Sequence, residues 1–311
     1  MTRKRGYFAF ALALATVTLC ASPIAQVQQQ EPSPTFRTSA DVVRIDAAVR
    51  RDKRPVTGLT ADDFEVLDNG VPQQVSDLSY ERLPIDVTIV LDVSASVTGA
   101  VLDQLRLAIH QLKGDLTTRD RLKLVAFNMR VRRLSDFAAP AAATDEAFAS
   151  LTGRGSSAIF DSLAVSLATP SPEGRRHLIV LFSDGQDSSS ITDPDALFDV
   201  ARRTTPTVAV VLASSVPTNP VSMFSRSADR RPISIARMYD QLGRETGGQV
   251  VSLTAGDNLT STFRRVLAEF RASYVLYYTP RGVDRSGTHT LDVRVKREGT
   301  EVRARRGYVW Q

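Results

Sequence analysis

The sequence predicts an α/β protein: a doubly wound, mostly parallel sheet flanked by helices, with a small accessory β domain built from the N- and C-terminal segments. Three observations predict it. Residues 87–91, 177–182 and 207–212 form continuous apolar runs, the pattern of parallel strands covered on both faces. Amphipathic segments alternate with these runs, beginning with Val101, Leu105, Ala108, Ile109 and Leu112 at helical spacing, and such alternation builds an open α/β sheet. At both ends of the chain the period changes to two, as in strands with one buried face.

Residues 1–25 begin with Arg3, Lys4 and Arg5, continue through an apolar stretch at 7–19 and end in small residues. This resembles a secretory signal peptide. The apolar part falls short of the roughly 20 residues a membrane span needs. Export to the periplasm or the exterior is expected, with no stable membrane span after cleavage. Cys20 is the only cysteine and falls in this segment, so the remaining chain forms no internal disulfide. Leu19 before it is unlike the small residue of a lipoprotein cleavage box. Loss of the segment's three positive charges takes the formal net charge from +5 to +2. A nearly neutral exported chain argues against nucleic-acid binding, which calls for a dense basic surface.

Residues 26–39, rich in Gln, Pro, Ser and Thr, read as a flexible lead-in. Residues 40–83 form the N-terminal part of the accessory β domain. Val43, Ile45, Ala47 and Val49 alternate with Arg44, Asp46, Ala48 and Arg50, and a second run at 64–67 leads into Asp68-Asn69-Gly70. Asn-Gly tolerates positive φ at both turn positions, so a tight hairpin into residues 71–75 is expected. Residues 84–279 form the α/β domain. After its first strand and helix come two strands, 122–127 and 131–137, a short helix at 145–151 and another helix at 157–168. Asp193 and Pro194 open the next helix as N-cap and first helical residue. Helices at 235–244 and 259–270 enclose a short strand at 249–252. In residues 280–311, Leu291, Val293 and Val295 alternate with Asp292, Arg294 and Lys296, and a turn at Glu298-Gly299 predicts a hairpin through Val302 and Ala304. Its arginines read as the polar face of an edge strand.

Asp92, Ser94 and Ser96 directly follow the apolar run at 87–91. They place hard oxygen ligands at the C-terminal end of a buried strand, where open α/β sheets bind their ligands. Alone such a string is ordinary turn chemistry. Two other segments bear on it. Residues 155–161 form a small-residue loop entering a helix with Ser157 near its start, and Ser183-Asp184-Gly185 ends another buried strand in an acid followed by glycine.

At these residues the chain resembles the von Willebrand factor type A domain and its metal-ion-dependent adhesion site, over about residues 84–279. Asp92, Ser94 and Ser96 match the family's D-x-S-x-S, Ser157 stands where the family has threonine, and Asp184 matches the distal aspartate. The family's usual Gly-Gly is Gly155-Ser156 here. The resemblance implies a Rossmann-like fold and a metal site made of Asp92, Ser94, Ser96, Ser157 and Asp184. Hydroxyls would hold the cation directly and carboxylates often through water, which suits Mg²⁺, with Mn²⁺ or Ca²⁺ as alternatives. It also implies a partner protein that completes the coordination with an Asp or Glu carboxylate, as in adhesion or assembly. Residues 36–80 and 274–310 resemble the flanking parts of VWFA-related acidobacterial proteins.

Catalysis is disfavoured. His110, His177 and His289 are scattered without metal-ligand spacing, and the chain contains neither a Gly-x-Ser-x-Gly elbow nor a P-loop. Two other classes stay open: a metal-assisted hydrolase with Asp184 or Asp187 as general base, and a structural module whose metal site does not function. Asp161 and Asp187 read more simply as helix caps or solvated acids, and Ser183 as a strand-end hydroxyl.

Overall fold

The computed structural model describes residues 42–140, 151–213, 234–254 and 256–310. The leader-like segment, the lead-in and residues 145–150 of the short helix expected at 145–151 lie outside them. The described chain opens with β1 (Val43–Arg51), the two-residue β2 (Arg54–Pro55), β3 (Phe64–Asp68), β4 (Val71–Gln73) and β5 (Asp77–Tyr80). The α/β part comprises β6 (Ile85–Asp92), α1 (Ala100–Asp115), β7 (Arg121–Phe127), β8 (Val131–Ala138), α2 (Ile159–Leu167), β9 (Arg176–Ser183), α3 (Pro194–Arg203), β10 (Thr207–Leu212), α4 (Ile235–Thr246), β11 (Gln249–Ser252) and α5 (Leu259–Arg271). The last strands are β12 (Tyr274–Tyr278), β13 (Gly287–Val295), β14 (Glu301–Ala304) and β15 (Gly307–Trp310).

The central sheet has the order β11-β10-β9-β6-β7-β8, parallel throughout except for β8, which runs antiparallel to β7. Every residue of β6, β9 and β10 is buried, which is why these strands are apolar without alternation. On one face Leu105 and Ile109 of α1 and Phe263 and Val266 of α5 join Val87, Ile89 and Leu91 in a core. On the other, Phe160 and Leu163 of α2, Phe198 of α3, and Met238 and Leu242 of α4 pack on Val90, Ile179 and Val210. The chain moves outward from β6 through β7 to β8, then returns to β9 and moves the opposite way. The strand order therefore switches between β6 and β9, and the loops leaving those two strands meet above the sheet.

Local signals account for several boundaries. Asp193 caps α3 by accepting a bond from Ala196 N at 2.8 Å, with Pro194 in the first turn. Asn69 and Gly70 adopt φ values of 47° and 80°, and Asp68 pairs with Val71 across this two-residue turn, as a hairpin of the primed type requires.

The terminal strands pair across the length of the chain. β1 pairs with β12 and β14 in a sheet ordered β14-β1-β12-β5, with β2 added to β1, and a second antiparallel sheet has the order β15-β13-β3-β4. Ile45, Phe64, Val66, Tyr274, Leu276 and Leu291 share a third core. Three features depart from the sequence expectation. Tyr274–Tyr278, grouped there with the α/β region, pairs with β1 and β5. The turn after β13 does not close a hairpin: β14 crosses to β1, aligning Val302 with Val49, while β13 pairs with β3 and β15. Burial of alternate faces against two different strands overrides the local turn signal. The tail arginines differ as well, since Arg305 is buried and donates to the carbonyls of Ala201 and Thr204 at 3.0 and 2.9 Å.

His177 lies buried at the start of β9, its Nε2 2.8 Å from Thr88 Oγ1 and its ring edge-on to Phe137. Burial pushes its pKa down to about 4, with Lys123, Arg44 and Arg121 adding to the shift and Asp86 opposing it. An unfolded chain binds this proton near pH 6.5, so the histidine's contribution is present above that value and is lost as pH falls toward 4. The loss amounts to about 3 kcal/mol. Urea denaturation at pH 7 and pH 4 should show a smaller acid-induced loss in His177→Gln than in the parent.

Candidate functional site

The site is built where the loops after β6 and β9 meet the loop entering α2. Asp92, the last residue of β6, is fully buried, and its carboxylate organises the surrounding turn. Oδ1 accepts a bond from Ser94 N at 2.9 Å. Oδ2 accepts from Ser183 Oγ at 2.6 Å and from Ser157 Oγ at 3.4 Å. The hydroxyls of Ser94 and Ser96 lie 3.0 Å apart. Thus Asp92 reaches Ser157 directly and sits beside the Ser94–Ser96 hydroxyl pair. Asp184 follows Ser183, is half-buried, and accepts from Gln186 N at 3.0 Å through Oδ1.

Backbone bonds hold the three loops in register. Arg154 N donates to Val93 O at 2.9 Å, Ala95 N to Gly155 O at 3.0 Å, and Ala158 N to Asn128 O at 2.8 Å. Only glycine fits at position 153, because a Cβ there would lie 2.1 Å from Val97 O and 2.7 Å from Ser94 O. That close approach lets residues 153–157 lie against the Asp92–Val97 turn. Gly153→Ala should therefore push the two loops apart and destabilise the fold by about 1–3 kcal/mol, measured by chemical denaturation.

Burial raises the pKa of Asp92, and the nearby Asp184 charge adds to the rise, while the bonds from Ser183 and Ser94 oppose it. Among the described residues no cationic side chain pairs with Asp92. A carboxylate withdrawn from water without a counter-charge is costly, so such a group either takes up a proton or is met by a cation. The donors gathered here are hydroxyl and carboxylate oxygens, a set that fits Mg²⁺, Mn²⁺ or Ca²⁺. No group of three His, Cys, Asp or Glu side chains assembles as metal ligands among the described residues, so any cation here would depend on the serines.

One partner in this arrangement is not legible as such in the sequence. Ser183 holds Asp92 by the shortest bond to that carboxylate, and also accepts from Gly185 N at 3.0 Å. Asp187 caps α2 from a neighbouring loop: its Oδ1 accepts from Ile159 N at 2.7 Å, Phe160 N at 3.3 Å and Ser190 Oγ at 2.6 Å. Asp161 accepts from the backbone of Ile191 and Thr192 and so fixes the loop that follows Asp187. Tyr239 of α4, fully buried, donates to Gly185 O at 3.2 Å and supports the turn after Asp184 from below.

Residues 86–243 match the von Willebrand factor type A domain. A stretch of 129 residues is 28% identical to inter-alpha-trypsin inhibitor heavy chain H4 of Sus scrofa, covering 38% of this chain and 14% of that protein. The chain thus spans a small part of that relative's length. Among solved structures, the von Willebrand factor type A protein from Catenulispora acidiphila superposes with a TM-score of 0.46 at 12% identity, over 89% of this chain and 76% of the other. An aerotolerance-related membrane protein from Bacteroides fragilis superposes with a TM-score of 0.46 at 17% identity, over 60% of this chain and 98% of the other.

Proposed function

Because the chain belongs to the von Willebrand factor type A domain family, we propose that it is an exported, non-enzymatic binding protein. In this reading Asp92, Ser94, Ser96, Ser157 and Asp184 hold a Mg²⁺-type cation, and an Asp or Glu side chain of a partner protein completes its coordination, in adhesion or assembly. The observation that carries the reading is the fully buried Asp92 carboxylate, surrounded by serine hydroxyls and without a cationic partner among the described residues. Ser183 orients Asp92, and at the same turn the hydroxyl of buried Ser94 pairs with that of exposed Ser96. When bound, the cation supplies the missing positive charge and an open position for an incoming oxygen. Export rests on the leader-like residues 1–25. Among the described residues no helix is long and apolar enough to cross a membrane.

Against hydrolysis with Asp187 as general base stand its hydrogen bonds, since its Oδ1 is occupied in capping α2. Calorimetric titration with Mg²⁺ and Mn²⁺ tests the reading. The parent protein should bind and Asp92→Ala should not. Ser183→Ala, which removes a group that orients a ligand, should weaken binding about 10–100-fold. Equal behaviour of the parent and Asp92→Ala would overturn the metal site.

A further inference from the structure

The large hydrophobic side chains most exposed to solvent among the described residues are Ile191, 86% exposed, and Met129, 61% exposed. They belong to different loops, yet both loops are hydrogen-bonded to the segment around Ser157 in the oxygen cluster. Met129 occupies the turn between β7 and β8, and its Sδ lies 3.9 Å from where a Cβ on Gly155 would stand. Gly155 O in turn accepts from Ala95 N, between Ser94 and Ser96. Ile191 ends a loop whose Ser188 and Ser189 N–H groups donate to Ser157 O at 2.9 and 3.0 Å.

Neither residue sits on a slack loop tip. The backbone N–H of Ile191 donates to both carboxylate oxygens of Asp161, at 3.2 and 3.0 Å, and Thr192 N donates to the same group at 2.8 Å. In the other loop, Arg130 N donates to Asn128 Oδ1 at 3.1 Å and Asn128 Nδ2 to Arg154 O at 3.0 Å. A fixed backbone thus displays apolar side chains to water, and a partner burying them has little loop entropy to overcome. On the Met129 side the rim also carries the exposed Arg130 and Arg154.

We infer that this rim is a docking surface for an acidic peptide segment of a partner protein, in which a carboxylate at the oxygen cluster is flanked by apolar residues seated on Ile191 and Met129. A further acid of the segment lies toward Arg130 and Arg154, as charge complementarity dictates. The inference rests on the proposed metal site, and it specifies which carboxylate-bearing partners that site accepts.

Panning a random displayed-peptide library against the full chain, in Mg²⁺ and separately in EDTA, tests it. Peptides recovered in Mg²⁺ and lost in EDTA should carry Asp or Glu next to aliphatic or aromatic residues. A synthetic peptide of the recovered consensus should bind Ile191→Ser and Met129→Ser at least tenfold more weakly than the parent, with calorimetric Mg²⁺ binding unchanged in both variants. Both side chains are exposed, so neither change threatens the fold. Recovery of no peptides, of peptides without flanking apolar residues, of peptides indifferent to EDTA, or of peptides that bind both serine variants as tightly as the parent would overturn the docking surface. Where Mg²⁺ still binds the parent and not Asp92→Ala, the metal reading survives that result. Loss of that difference is a failure of the metal site itself.

Discussion

Replacing Asp68 with alanine is expected to cost about 3–5 kcal/mol of stability, enough to unfold a marginal domain. Asp68 is fully buried at the end of β3, and three donors from distant strands converge on it. His289 Nδ1 lies 2.8 Å from Oδ1, while Tyr278 and Tyr308 donate their hydroxyls to Oδ2 at 2.9 and 2.8 Å. Burial, reinforced by this carboxylate, raises both tyrosine pKa values, so the phenols stay protonated as donors. Truncation leaves two buried hydroxyls and an imidazole nitrogen without their acceptor, and each such loss costs about 1–3 kcal/mol. Equilibrium urea unfolding at neutral pH measures the effect. A loss below about 1 kcal/mol would show that the network relaxes around the gap.

Arg176→Ala is expected to cost about 3 kcal/mol, because it leaves the Asp46 carboxylate at the junction of two sheets with only the longer pairing to Arg44, 3.8 Å away. Arg176 begins β9 in the central sheet and is 2% exposed, and its Nε donates at 2.6 Å to Asp46 of β1. Its guanidinium lies over the Phe270 ring at 4.0 Å and reaches the carbonyls of Arg271 and Ser273. The residue therefore joins the central sheet, α5 and the terminal strands at one point. The double variant Arg176→Met with Asp46→Leu should recover much of the loss, since apolar replacement of a buried pair is far less damaging than removal of one partner. A double-mutant cycle by chemical denaturation separates the pair from the packing.

The contrast between these residues and the candidate metal site marks how far sequence reading extends. Asp92, Ser94, Ser96, Ser157 and Asp184 stand out because each follows a strand run or enters a helix, and position along such elements is a local property. The same holds for Asn69-Gly70 and for Asp193-Pro194, where neighbouring residues alone select the backbone conformation. Ser183 does not stand out as a support for Asp92, since hydroxyls at strand ends are common and its partner lies 91 residues away. The bond between Asp68 and His289 spans 221 residues, and no spacing rule reaches that far. The turn at Glu298-Gly299 misled in the opposite sense: its local chemistry suits a hairpin, yet β14 pairs with β1 because Val302 and Ala304 gain burial there.

By itself the sequence determined the alternation of buried strands and amphipathic helices, the order of the oxygen-bearing loops and the chemical type of their donors. These depend on residue type and on periods of a few positions. Only the tertiary structure decided which strand ends meet at the switch between β6 and β9, which hydroxyls surround Asp92, and that the loops of Ile191 and Met129 both bond to the segment around Ser157. Burial and hydrogen bonding are set by distance in space, and space brings together residues that the chain keeps far apart.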